Sequence, residues 1–141
     1  MLRGEFESAA ESSPEALHDA YLTVLRETVE DVGVDAVVEE SGVERETVRA
    51  VAEGEKPELT LESAAAILAA DPDRPDAGAI VAEALDILLM GMTTAVVDVD
   101  GVAAGIDREM DPKEVQQKIE GRYPITLAEY AAIHAFLADG R

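Results

Sequence analysis

The chain resembles itself at a fixed offset, and that limits its fold more than any other feature. Displaced by 67 residues, Asp19 meets Asp86, Leu22 meets Leu89, Asp31-Val32 meets Asp98-Val99 and Ala36 meets Ala103. Val48 then meets Val115, Glu53-Gly54 meets Glu120-Gly121, and Pro57 meets Pro124. Past the proline the offset becomes 66, so Thr60-Leu61 meets Thr126-Leu127, Ala65-Ala66-Ile67 meets Ala131-Ala132-Ile133, and Ala69 meets Ala135. Alanine richness inflates the last block, but it does not produce the order of Gly, Pro and Thr-Leu. A length of 141 residues suits one ordinary domain or two very small ones. The repeat divides it into units over residues 12–75 and 76–141. Each could bury only a modest core alone, so the two are expected to pack together as a pseudo-dimer.

Each unit reads as helices. Around Ser12-Ser13-Pro14-Glu15, Ser13 can cap a helix and Pro14 suits its first position, with acids at the positive end of the dipole. Leu17, Tyr21, Val24, Leu25, Thr28 and Val29 follow at spacings of three and four, an amphipathic stripe. Gly33 interrupts it. Short helices are predicted over residues 35–40 and 45–53, separated by a turn at Ser41-Gly42 and stopped by Gly54. Thr60 then caps a helix over 61–70. After the polar linker Asp71-Pro72-Asp73-Arg74-Pro75-Asp76, the plan recurs with a long helix over 77–97 and short ones over 102–106 and 113–119. Asp111-Pro112 begins the second short helix and Gly121 stops it. A last helix over 127–137 is capped by Thr126. No strand-like alternation of convincing length is present.

Residues 37–57, from Val37 through Gly42-Val43, Thr47-Val48 and Gly54 to Pro57, followed by Leu61 and Ile67-Leu68, resemble the helix-turn-helix domain of the lambda repressor and Cro type. In that family two glycines sit twelve apart, as Gly42 and Gly54 do, and an apolar residue follows the first, as Val43 does. A threonine–apolar pair opens the buried side of the recognition helix, as Thr47-Val48 does, and a proline leads into the next helix, as Pro57 does. The resemblance covers residues 16–70. The second unit departs from it: Glu109 stands where the turn glycine belongs, and Lys118 where an inward apolar residue belongs. The implied fold is all-α, two tandem helix-turn-helix-like four-helix units with the second diverged. The whole chain also resembles a haloarchaeal protein family of unknown function.

The resemblance implies a sequence-specific DNA-binding protein acting as a transcriptional regulator. The helix at 45–53 would then enter the major groove. Arg45, Glu46, Arg49 and Ala50 would point away from Val48 and Val51; Arg49 could read guanine, while Arg45 and Lys56 could touch phosphate. In the second unit the exposed set is Lys113, Gln116, Gln117 and Arg122, whose glutamines could pair with adenine edges. The partner implied is double-stranded DNA.

Charge opposes this reading. The 31 acidic side chains against 11 basic ones give a net charge of −20, and arginines number eight against three lysines, Lys56, Lys113 and Lys118. Neither half is basic, and DNA affinity draws heavily on phosphate neutralisation. Many acids, scarce lysine and small apolar residues resemble proteins of salt-accumulating halophilic archaea, in which salt screens the acidic coat. The alternative function is a protein-interaction or dimerisation module that reuses the same fold, with a homodimer or a partner protein implied. Its candidate patch is Leu88, Met90 and Met92, although packing between the units is the first expectation for these side chains.

Other chemistry has little support. Cysteine is absent, and His18 and His134, the two histidines, occupy unrelated positions on helices. Asp98-Val99-Asp100-Gly101 lacks the later oxygen ligands of a calcium loop, so Asp98 reads as a helix cap. No Gly-rich phosphate loop occurs. No catalytic residue, metal or cofactor is expected. Met1-Leu2-Arg3-Gly4-Glu5-Phe6-Glu7 has no basic stretch followed by an apolar core. Residues 87–97 are apolar but too short for a membrane span and are expected to form a buried helix. A cytoplasmic protein without membrane contact is the expectation.

Overall fold

Side-chain caps set the starts of most helices in the computed structural model, which describes residues 13–139. The Ser13 hydroxyl accepts from the Ala16 amide at 3.1 Å, opening α1 (Pro14–Val32) with proline in its first turn. The helices α2 (Val34–Ser41) and α3 (Arg45–Ala52) follow. Thr60 caps α4 (Leu61–Ala69) through the Ser63 amide. Asp76, Asp98 and Asp111 do the same for α5 (Ala77–Ala95), α6 (Val99–Gly105) and α7 (Pro112–Ile119). The last helix, α8 (Leu127–Asp139), has a reciprocal cap. The Glu129 amide donates to the Thr126 hydroxyl, and the Thr126 amide donates to the Glu129 carboxylate, both at 3.0 Å. The fold is therefore an all-α domain of eight helices, with no strand among the described residues. The reading of residues 1–7, Ser12 and the extreme ends of both expected units lies outside those residues.

Helix lengths run 19, 8, 8 and 9 residues, then 19, 7, 8 and 13. α1 packs on α8 while α5 packs on α4, and each long helix also meets the closing helix of its own half. At the centre, the Leu61 amide donates to the Ile125 carbonyl at 2.7 Å and the Leu127 amide to the Leu59 carbonyl at 2.8 Å. These bonds flank an antiparallel bridge between Thr60 and Thr126. One core cluster draws Leu17, Tyr21 and Leu25 from α1, Leu61 and Ile67 from α4, Leu88 from α5 and Ile133 from α8. α8 is apolar all round, which suits a helix enclosed by neighbours.

The halves differ at two joints. Gly42 closes α2 in the left-handed conformation at φ 73°, which a side chain would make costly, and α3 begins three residues later. In the register of the repeat, Glu109 replaces Gly42 and takes no positive φ. α6 stops at Gly105, and the connection to α7 spans residues 106–111.

The second joint is the end of α5. The helix was expected to run to 97, but it ends at Ala95 because Val96 turns left-handed at φ 56° and ψ 51°. Ala95 corresponds to Thr28 in the 67-residue register, whereas α1 continues to Val32. Thus α6 begins at Val99, earlier than expected from residues 102–106; it leans on α7 and α8 as α2 leans on α3 and α4, but it lacks the packing on the long helix that α2 has against α1. The expectation of a buried helix over 87–97 is corrected accordingly. Ile80, Ala84 and Leu88 are buried, but Leu89, Met90 and Val96 are exposed, because neither α6 nor α7 covers that length of α5 as α3 covers α1. By length and composition α5 is long and apolar enough to cross a membrane.

Candidate functional site

α3 presents Arg45, Glu46 and Arg49 to solvent, with Val48 and Val51 buried against α1, since residues 3 and 4 apart share a helix face. Arg45 pairs with Asp35 of α2. Lys56 reaches back to Asp19 of α1 at 2.8 Å. Arg49 is exposed and makes no ion pair among the described residues. Glu44 and Glu53 flank the face, and both are exposed. On α7, Lys113 and Gln116 are exposed, and the Gln116 side chain donates to Glu120 at 3.2 Å. Arg122 pairs with Glu120 at 3.3 Å. Gln117 is half-buried, and its carbonyl accepts from the amides of Arg122 and Tyr123. The expected residues therefore form two surface groups, one on α3 and one on α7. Arg45, Lys56 and Arg122 are matched by carboxylates, whereas Arg49 and Lys113 make no ion pair among the described residues.

Lys118 occupies the register position of buried Val51, and its placement explains how a lysine is tolerated there. Its ammonium lies 2.7 Å from Glu129 of α8 and 3.1 Å from Glu114, with the Lys118 and Glu129 side chains 13% and 14% exposed. Burial pulls the ammonium's pKa down, but the bonds to Glu129 and Glu114 carry it above its ordinary value. Burial likewise opposes the Glu129 carboxylate, yet Lys118 and the Thr126 amide hold it below its usual range. The lysine joins α7 to α8 and is not part of a reading surface.

His134 lies against Tyr21 and Tyr130, its Nδ1 2.6 Å from the Tyr21 hydroxyl. The Tyr130 hydroxyl donates to the Ala84 carbonyl at 2.9 Å. Burial lowers His134 to about 4 and raises Tyr21, so both are neutral near pH 7. Tyr21 is fully buried and His134 is half-buried. His18 is half-buried beside Glu15, Asp107, Arg108 and Glu109, in a cleft of about 450 Å³. Among the described residues no group of three or more His, Asp or Glu side chains is placed to hold a metal ion. Asp98 caps α6 by accepting from the Gly101 amide at 2.9 Å.

The apolar opening lies along the last turns of α5. Leu89, Met92, Thr93, Val96 and Val97, with Asp98 and Gly101 of the next helix, line an open cleft of about 780 Å³. Leu89 is 47% exposed and Val96 is 89% exposed. Of the patch suggested by sequence, Leu88 is buried, Met90 is exposed on another side of the helix, and Met92 lines the cleft. Leu89, Thr93, Val96 and Val97 were not anticipated. Their signal was present, because residues 87–97 carry no charge in an otherwise acidic chain. Apolarity alone does not say whether a helix is covered.

No curated protein and no solved structure matches the chain. Residues 17–140 match a family described as a family of unknown function, DUF5791. With nearly the whole chain inside that match, the protein belongs to the DUF5791 family.

Proposed function

We propose that the protein is an interaction module, built from two helix-turn-helix-like four-helix units of which the second has diverged, and that it engages a partner protein through the open face of α5. The repeat reading is supported by the two series of helix lengths, by the reciprocal bonds between residues 59–61 and 125–127, and by Gly54 and Gly121 at φ 80° and 81°. The observation that carries the function is the largely apolar cleft around Leu89 and Val96, with Asp98 the one acid in its lining. A large apolar side chain in water gains from any surface that covers it, by roughly 25 cal/mol per Å² of apolar area. The reading is of a binding protein and not an enzyme, acting inside the cell.

A photo-reactive amino acid at position 89 tests this in the source cells. It is expected to cross-link protein, while the same group at exposed Glu39 of α2 does not. Equal cross-linking at both positions, or none at 89, overturns the reading.

Arg49 and Lys113 favour a second reading, DNA binding as a transcriptional regulator, because both are exposed and outside any ion pair among the described residues. The exposed pairs of Arg45, Lys56 and Arg122 are each worth only about 0–1 kcal/mol, so phosphate could replace the carboxylates. Retention of sheared genomic DNA by the folded protein in concentrated KCl, lost in Arg49→Ala and Gln116→Ala, would favour DNA over a protein partner.

A further inference from the structure

We propose that the partner covering the end of α5 is a basic amphipathic helix of another protein, laid along the stripe from Leu89 to Val96 with cations at Asp98 and Asp100. The inference rests on the interaction reading above and names the chemistry of the partner.

The first half of the molecule gives the shape of the occupant. At the 67-residue offset Leu89, Met92 and Val96 correspond to Leu22, Leu25 and Val29. Those three are buried in one cluster with Val48 and Val51 of α3, and α3 packs on α1. The cover there is an eight-residue helix with two inward valines three positions apart. At the same offset α7 corresponds to α3, but it sits further back. Gly54, just past α3, shares a small cleft with Leu22 and Arg26 of α1. Gly121, just past α7, lies against Leu85 instead, where an added methyl would stand 3.4 Å from that side chain. Leu85 is one turn before Leu89, the counterpart of Leu22. α7 is therefore set back along α5 by about one turn, roughly 6 Å, and this face of the last two turns is left open. Leu89, Met92, Thr93 and Val96 follow there at spacings of three and four, a stripe about 10 Å long. A further short helix fills such a stripe with apolar side chains at i, i+3 and i+7.

Charge selects the polar side of that helix. No Lys or Arg occurs between Arg74 and Arg108, the stretch that holds α5 and α6. Asp98 lines the cleft, Asp100 is exposed two residues on, and Asp86 is exposed one turn before Leu89. The Asp98 Oδ1 accepts from the Gly101 amide, and the carboxylate keeps further lone pairs for a cation. The cover of the first half brings a cation of its own: Lys56, four residues past α3, pairs with Asp19 at 2.8 Å, and Asp19 corresponds to Asp86. A helix approaching α5 as α3 approaches α1 thus meets an apolar stripe with acids near both ends. An acidic helix, α5 of a second copy included, would set carboxylate against carboxylate.

Three synthetic peptides, titrated against the purified full chain by fluorescence anisotropy, test this. The first has leucines at i, i+3 and i+7 and lysines on its other faces. The second has glutamates for the lysines, and the third keeps the lysines and has serines for the leucines. Circular dichroism follows folding at each KCl concentration. At the lowest KCl that supports the fold, the first peptide is expected to bind at least about tenfold more tightly than either of the others, and its lead over the glutamate peptide should narrow as KCl rises. Leu89→Glu is expected to lose the first peptide although it adds negative charge, which separates the site from general attraction to an acidic protein. Asp98→Asn keeps a capping side chain and is expected to weaken the first peptide by about threefold or more. Glu39→Gln, the same change of net charge on exposed α2, should leave binding unchanged.

A first peptide that binds no better than the other two, or as well to Leu89→Glu as to the wild type, overturns the proposal. In the source cells, the segment cross-linked from position 89 is expected to carry apolar residues three and four apart and more Lys and Arg than Asp and Glu. An acidic segment, or one from this chain, overturns the basic helix and leaves α5 standing as a contact face. No cross-linked protein overturns both readings. So does a wild type that floats with neutral phosphatidylcholine vesicles while Leu89→Glu does not, because the face then binds lipid.

Discussion

His134 and Tyr21 are 113 positions apart in sequence and bonded at 2.6 Å in the fold, so the proton on that imidazole bears on the contact between α8 and α1. Burial holds the folded His134 at about 4, against an ordinary value of 6.5. Between those values the unfolded chain takes up a proton that the folded chain refuses, so stability falls as pH drops from about 6.5 to 4 and rises with pH across that window. The loss attributable to this residue is about 3 kcal/mol. Urea unfolding of the wild type and His134→Gln at pH 7 and pH 4.5 checks it, and the variant should lose less stability on acidification. Val96 gives a second prediction. A β-branched residue at φ 56° is strained, and the left-handed region costs an L-residue about 1–2 kcal/mol that glycine avoids. Val96→Gly is expected to raise stability by about 1 kcal/mol in chemical unfolding, after glycine's greater freedom in the unfolded chain is allowed for. Neither effect was visible in sequence. Both histidines were expected on helices, but the tyrosine facing His134 comes from the far end of the chain.

At the scale of elements, the caps were the most legible features. Ser13, Thr60, Asp111 and Thr126 all cap where they were expected to, since a cap depends on three or four consecutive residues. The left-handed turn at Gly42 was legible for the same reason. The end of α5 was not, because local propensity gives no cause for a valine to break a helix. The attachment of α7 to α8 was also hidden. Lys118 looked like a departure from the inward apolar pattern, and Glu129 supplies the explanation from another helix. Lys118→Met should cost about 3 kcal/mol in thermal or chemical unfolding, since it strands a mostly buried carboxylate. Adding Glu129→Gln should recover part of that loss, because the stranded charge is removed. Full additivity of the two losses would mean that the pair is not coupled.

For the molecule as a whole, charge sets the working conditions. A net charge of −20 on 141 residues favours expansion in dilute buffer, and the Debye length falls to about 3 Å at 1 M salt. The midpoint of thermal unfolding should rise by at least about 5 °C between 0.1 and 2 M KCl. A midpoint indifferent to KCl would show that the acidic coat is not opposing the fold. The measurement should be made at two protein concentrations, because self-association would also raise the apparent midpoint and make it depend on concentration.

Sequence by itself determined the helices, their caps, the offset that relates the two halves and the acidic surface. These follow from neighbours within a few residues, or from composition, so no knowledge of distant contacts is required. Only the tertiary structure decided how the halves share one core, α1 lying on α8 and α4 on α5, and which apolar surface remains open. Leu22 and Leu89 meet at the 67-residue offset of the sequence, yet one is buried and the other is 47% exposed. The difference lies in whether another helix returns to cover them, and that depends on turns elsewhere in the chain. Gly42 brings α3 back over α1 within three residues. Val96 and the longer connection over 106–111 carry α6 and α7 away from the end of α5.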